Sequence, residues 1–172
     1  MKGHTHIAGG LLFAFLFNVP GYAIPMAVIG STFPDIDLSF TYYIPPKGVK
    51  TTLFNTHRGI THHPAIVVLL FLLWVFLMNK YPQYKFYWDF LYGFWVGYLS
   101  HLVLDAMTKK GIPVGLGYYP RFSFKLMKTG GTGEKFVFGL IVVLLIGVIF
   151  LKANPRLVEN VFSSFKGLIK VS

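Results

Sequence analysis

The 172-residue chain is 54% hydrophobic and 18% aromatic, and only 13% of it is charged, against about 25% in an ordinary soluble domain. That composition excludes intrinsic disorder, which needs low hydrophobicity and dense charge. The absence of cysteine excludes a disulfide scaffold, thiolate metal ligands and a cysteine nucleophile. With mean hydropathy +0.58 and a formal charge of +10, the chain reads as an integral membrane protein. Its cations flank apolar segments and meet anionic headgroups; a nucleic-acid partner is not expected.

The first 34 residues hold two apolar runs, 7–17 and 22–33, split by the turn chemistry of Asn18-Val19-Pro20-Gly21. They form either one kinked span or a re-entrant hairpin of two short helices. Lys2 ahead of an apolar run also suggests a signal peptide, but no small-x-small cleavage site follows it. Crossing a bilayer core takes about 20 apolar residues, and about 17 suffice. Residues 61–79 qualify, with Pro64 tolerable in the first turn, as do residues 86–105 with Trp and Tyr at one end, and the short, very apolar 136–151. Beyond them, Val158, Val161, Phe162, Phe165, Leu168 and Ile169 recur at helical spacing, as in an amphipathic helix on the interface. The expectation is an all-α, polytopic membrane helix bundle of about four to five helices. Residues 1–151 would be one membrane-embedded domain and 152–172 a tail.

If the first region is a hairpin, the N-terminus and the loops 34–60 and 106–135 share one side of the membrane. That side carries ten Lys or Arg against six on the other, which favours it as cytoplasmic in an inner-membrane, multi-pass protein. All six histidines fall there, with three of the four aspartates, and each group sits at the end of an apolar run. Taken singly these residues have bland explanations. A histidine is more often a packing residue than a ligand, Asp35 or Asp37 can cap a turn, and Asp105 can balance Lys109 one turn later. Their joint clustering requires four helix ends meeting around one site.

The spacings suit ligation. His101 and Asp105 are one turn apart on one helix face. Asp35 and Asp37 follow Pro34, which disfavours helix at Phe33, and an extended D-x-D would put both carboxylates on one side. His57 and His62 lie five apart around Gly59. Ionisable groups in membrane segments mark functional sites, and three neighbouring carboxylates need a compensating cation. A nitrogen-and-oxygen donor set suits zinc first, with manganese or iron as alternatives. Seven candidates, His6, Asp35, Asp37, His57, His62, His101 and Asp105, exceed what one tetrahedral ion uses and favour either two ions or a mixture of ligands and residues that orient them. His4 and His63 stand beside better-placed histidines. Thr61, Ser100 and Thr108 are expected to hydrogen-bond ligands, and Arg58 to hold an anionic oxygen or to flank the membrane. The loop 109–128 mixes five cations with Leu116, Tyr118, Tyr119, Phe122, Phe124 and Leu126, as a lipid-phosphate clamp or an interfacial segment would. The Gly-rich 129–133 reads as a linker.

The strings TH at 5–6, PDIDL at 34–38, HRGITHH at 57–63 and GYLSHLVLDAMTKKGIP at 97–113 resemble the YdjM-like family of membrane-bound, metal-dependent hydrolases of bacteria and archaea. Order and spacing agree over residues 5–125. The resemblance implies metal-site roles for His6, Asp35, Asp37, His57, His62, His101 and Asp105, the set already reached from the residues. His63 departs from the Ser that the family usually has there. The family is also regarded as distantly similar to zinc-dependent phospholipase C, which implies a phosphoester substrate.

The expected function is metal-dependent hydrolysis of a phosphoester in a lipid or lipid-linked substrate, with membrane lipids as partners. The metal would activate water, Asp35 or Asp37 would act as general base where not a ligand, and Arg58 or the basic loop would neutralise phosphate charge. A non-catalytic metal binder or transporter is the alternative, disfavoured because residues 64–78 and 136–151 lack polar groups midway. Metal-independent lipid phosphatases share His-x-x-x-Asp, but their Ser-Gly-His element and the Arg before His-x-x-x-Asp are missing here.

Overall fold

A computed structural model describes residues 1–39, 47, 48, 50, 52–115, 119–156 and 159. The readings that fall on Leu116, Tyr118, Val158 and residues 160–172 lie outside them. The chain is mostly helical (72%), as expected. Among the described residues there are five α-helices: α1 (Gly3–Leu16), α2 (Ile24–Thr32), α3 (Pro64–Lys80), α4 (Lys85–Met107) and α5 (Thr132–Ala153). A two-stranded antiparallel ribbon, β1 (Ile112–Pro113) with β2 (Arg121–Phe122), is the one sheet.

The first two helices form the hairpin. Asn18 takes a left-handed φ of 53°, which Asn tolerates better than most residues, and Pro20 precedes a single 3-10 turn. α1 and α2 then pack side by side, so the start of α1 and the end of α2 lie together. After α2 the chain does not become extended as Pro34 suggested. It continues as 3-10 turns over Phe33–Ser39. At three residues per turn, positions two apart point in different directions, so Asp35 and Asp37 approach His57 and His62 at different ring nitrogens, Asp35 at Nε2 and Asp37 at Nδ1.

α4 is the axis of the molecule, packed on α1 and most extensively on α2. The α2–α4 approach is close because small residues face each other, the means by which helices associate where no water drives them together. A Cβ on Gly97 would lie 1.9 Å from the Ala27 carbonyl oxygen, and one on Gly30 would lie 2.1 Å from the Phe94 carbonyl oxygen. Ala14, Val19, Ala23, Ala27 and Val96 fill this seam. A second cluster, Ala8, Leu12, Leu104, Met127 and Ile141, joins α1 and α4 to α5.

The outer helices carry apolar surface outward. α3 buries only Trp74, and α5 only Glu134 and Ile141. Phe136, Val143 and Ile146 on α5 are exposed, as are Leu69 and Phe76 on α3. By length and composition α5 is the one described helix able to cross a membrane by itself. Three separate spans were expected. α3 stops at 17 residues, about 26 Å at 1.5 Å per residue, and α4 interrupts its apolar surface with Asp89, Ser100, His101 and Asp105. These two helices qualify only jointly, as a pair bent by 109°.

The Gly97 contact is testable. Gly97→Ala drives a methyl group into backbone and should destabilise the protein by about 1–3 kcal/mol. Gly139→Ala on α5, where a Cβ meets nothing within 4 Å, should be neutral or stabilising by up to about 1 kcal/mol through helix propensity. Thermal denaturation of the solubilised protein measures both.

Candidate metal centre

Four chain segments deliver the polar residues to one end of the bundle: the start of α1 (His6), the turns after α2 (Asp35, Asp37), the loop before α3 (His57, Arg58, Thr61, His62) and the end of α4 (His101, Asp105). His6, His62, His101 and Asp105 are completely buried, and Asp37 and Arg58 nearly so. Asp35 keeps 22% of its side chain exposed, so the site opens beside it.

Hydrogen bonds assign the imidazole tautomers. His101 Nδ1 lies 2.7 Å from the Ser31 carbonyl, which can only accept, so Nδ1 carries the proton. His57 Nδ1 stands 2.7 Å from Asp37 Oδ1 and likewise donates. The Thr61 hydroxyl donates to Asp37 Oδ2 at 2.8 Å, so its oxygen accepts from His62 Nδ1 at 3.0 Å. With these Nδ1 protons placed, each Nε2 keeps its lone pair when its ring is neutral, as a metal ligand must be.

Those Nε2 atoms converge. From Asp35 Oδ1 they stand at 3.8 Å (His57), 3.7 Å (His62) and 3.6 Å (His101). These separations are too long for hydrogen bonds. His62 Nε2 and His101 Nε2 face each other at 3.0 Å, and Asp105 Oδ2 lies 3.4 Å from the first and 3.6 Å from the second. Asp105 Oδ2 is buried and has no hydrogen-bond partner among the described residues. Two lone pairs and an unpaired carboxylate oxygen directed into one space repel unless a cation lies between them. Four ligands at 2.0–2.2 Å from a tetrahedral ion are roughly 3.3–3.6 Å apart, so this donor set fits one. Asp35, His62, His101 and Asp105 thus form a group that could hold a metal, and Asp35, Asp37 and His57 form a second. Asp35 belongs to both.

The remaining residues brace this arrangement. Asp37 accepts from the Arg58 backbone N–H at 2.9 Å as well as from His57 and Thr61. Burial alone would push its carboxyl up, but the hydrogen bond from His57 and the closeness of the His62 ring outweigh it and hold the group well below the usual carboxylate range. Arg58 does not present its guanidinium to a free anion. It donates Nη2–H to Asp105 Oδ1 at 2.8 Å and Nη1–H to Thr108 Oγ1 at 2.9 Å. Its backbone is left-handed, at φ 61°. Arg58 therefore ties Asp37 by its main chain to Asp105 by its side chain.

His6 lies behind the cluster, stacked on His101 with ring centroids 3.7 Å apart. Its Nε2 is 3.5 Å from Asp105 Oδ1 and 2.9 Å from the Met1 amino group, which itself contacts Asp105 Oδ1 at 2.6 Å. Neither metal-competent group includes His6. His63 donates Nε2–H to the Gly115 carbonyl, and exposed His4 packs edge-on against Phe138. Thr61 and Thr108 bind site residues as expected, whereas Ser100 bonds only the Gly97 carbonyl of its own helix. Two contributors had no sequence signal: the Ser31 main-chain oxygen, and Tyr98, whose hydroxyl donates to the Thr61 carbonyl.

The Arg58 clamp can be measured. Arg58→Gly relieves about 1 kcal/mol of left-handed strain but leaves the buried Asp105 carboxylate with the Met1 amino group as its one remaining cation among the described residues, a loss of about 3 kcal/mol. Metal-free Arg58→Gly should therefore melt earlier, and its metal affinity should fall roughly 10–100-fold, as when a partner that orients a ligand is removed. Unchanged melting and affinity would contradict the clamp.

No solved structure matches the chain. An uncharacterised protein of Bacillus subtilis strain 168, YvsG, is 30% identical over 148 residues, covering 80% of this chain and 87% of the relative. The family model described as YdjM inner membrane protein matches residues 1–168. With that match over nearly its whole length, the chain belongs to the YdjM inner membrane protein family.

Proposed function

We propose that this protein is a multi-pass inner-membrane hydrolase that uses a divalent metal, zinc before manganese or iron, to cleave a phosphoester of a lipid or lipid-linked substrate on the cytoplasmic face. The observation that carries the reading is the convergence of three Nε2 lone pairs and the unpaired Asp105 oxygen on Asp35, the one site carboxylate partly open to solvent. The shared Asp35 favours two ions. Bound there, divalent ions lower the pKa of water to about 7 and polarise a phosphoryl oxygen.

The chain's own residues divide the remaining work. His62, His101 and Asp105 hold one position rigidly, because each has its other polar atom fixed: His62 by Thr61, His101 by Ser31, Asp105 by Arg58. Asp37 aims His57. Asp35, at the mouth, would accept a proton from an incoming water where it is not itself a ligand. Arg58, committed to Asp105, acts as a positioning residue, so the charge of a phosphate falls to the basic loop 109–128. An apolar cavity of about 280 Å³ between α3 and α4, lined by Val67, Phe71, Tyr92, Trp95, Val96 and Leu99 among others, supports a lipid rather than a water-soluble substrate. Transport fits less well, since α5 carries no polar side chain between Lys135 and Lys152.

Metal analysis of the purified protein by mass spectrometry should find about two equivalents of zinc or manganese, lost in His101→Ala/Asp105→Ala. Phospholipids and lipid phosphates should then be hydrolysed by the wild type. Chelation should abolish turnover and added zinc restore it, while Asp35→Asn and His101→Ala should each lower it by at least about 100-fold. Absence of metal after reconstitution, or turnover surviving in both variants, would overturn the reading.

A further inference from the structure

No carboxylate lies between Asp105 and Glu134, while Lys109, Lys110, Arg121, Lys125 and Lys128 do. The structure folds this stretch back onto the end of α4. Phe124 N–H donates to the Ala106 carbonyl at 2.9 Å, Leu126 N–H to the Met107 carbonyl at 3.0 Å and Lys109 N–H to the Met127 carbonyl at 2.8 Å, and the Ser123 hydroxyl donates to the Thr108 carbonyl. These bonds satisfy the carbonyls that a helix end leaves open. They also turn the polar backbone of residues 123–127 inward, towards the bundle.

Met127 is buried at 5% exposure, while Phe122, Phe124 and Leu126 point outward at 45%, 59% and 66%. The two phenylalanine rings meet edge to face at 4.9 Å. Lys109, Lys125 and Lys128 are exposed beside this apolar row. A row of large apolar side chains bordered by cations alone matches the membrane interface, where acyl chains lie just beneath anionic phosphates. A second copy of this chain is a poor occupant. Of its six acidic residues, Asp37, Asp105 and Glu134 are buried, Asp35 faces the metal centre, Asp89 is bound by Tyr22 and Lys85, and Glu159 is a single exposed carboxylate, which leaves no acidic patch to offer.

We infer that Lys109 together with residues 122–128 is a binding surface for anionic phospholipid. Phe122, Phe124 and Leu126 enter the upper acyl region, and Lys109, Lys125 and Lys128 contact the headgroup phosphates. The surface is joined to the metal centre through Gly111, whose carbonyl accepts from Arg121 Nη2 at 2.6 Å and from Arg58 Nη1 at 3.4 Å. It depends on membrane placement and not on hydrolysis.

The absence of cysteine makes a direct test available. Full-length Phe124→Cys and, separately, Leu126→Cys are nitroxide-labelled and reconstituted into vesicles of phosphatidylcholine alone or of phosphatidylcholine and phosphatidylglycerol in equal parts. Collisional access to oxygen and to an aqueous nickel chelate then gives depth. Val143→Cys on α5 serves as the hydrocarbon reference and shows that the variants are inserted. In the phosphatidylglycerol vesicles both labels should lie about 5–10 Å below the phosphates. They should move towards water in phosphatidylcholine, and also when Lys109→Gln, Lys125→Gln and Lys128→Gln are combined. Labels open to the nickel chelate in both lipids would overturn the surface altogether. Equal depth in both lipids would overturn its preference for anionic headgroups. Neither outcome bears on metal content, which is measured separately.

Discussion

A carboxylate with no solvent exposure at the end of an apolar helix is the constraint on which the rest of this structure depends. Burying an uncompensated charge costs several kcal/mol even after relaxation, so Asp105 must be surrounded by donors or cations. One of its oxygens takes the Arg58 guanidinium and the Met1 amino group. The other takes no hydrogen bond among the described residues and faces His62 and His101. Satisfying this one side chain draws together the start of α1, the loop before α3 and the end of α4. The half left unsatisfied is directed at the space where the imidazole lone pairs converge.

That arrangement holds only if α2 lies close against α4, because the acceptor that orients His101 is a main-chain oxygen of α2. Gly97 and Gly30 allow the approach: neither position has room for a Cβ against the opposing backbone. The glycines therefore act on the site from a distance. They let the Ser31 carbonyl reach His101 Nδ1, which settles the tautomer and leaves Nε2 free to ligate. Arg58 has a parallel role on the other side, its left-handed backbone placing an N–H on Asp37 while its side chain reaches Asp105.

Much of this was legible in the sequence because long apolar segments leave few places for charge. Histidines and aspartates at the ends of apolar runs announced a common site, and the i,i+4 spacing of His101 and Asp105 put both on one helix face. Three things were not legible. Asp35 and Asp37 look equivalent in a D-x-D string, yet the 3-10 turns through Pro34 put Asp35 in both groups that could hold a metal and Asp37 in one of them, where it also accepts from His57, Arg58 and Thr61. Arg58 looked like an anion binder, because nothing in its local sequence shows that Asp105, 47 positions away, absorbs its charge. The bend between α3 and α4 was hidden as well: hydropathy reports which segments are apolar, not the angle at which a short connection joins them.

The position of the site within the bundle bears on the proposed chemistry. Hydrolysis of a lipid phosphoester needs water and lipid at one place, and a bilayer supplies both only at its interface. Helix ends reach that boundary, whereas helix middles sit in hydrocarbon. α3 and α5 present apolar side chains on nearly all sides, suited to a medium without water. The polar residues gather instead where α1 and α3 begin and α2 and α4 end, with Asp35 partly open. Depth in the bundle thus separates two tasks. The buried donors, shielded from competing water, fix ligand geometry, and the one accessible carboxylate meets whatever arrives from the interface. A site at mid-helix would retain the first property and lose the second.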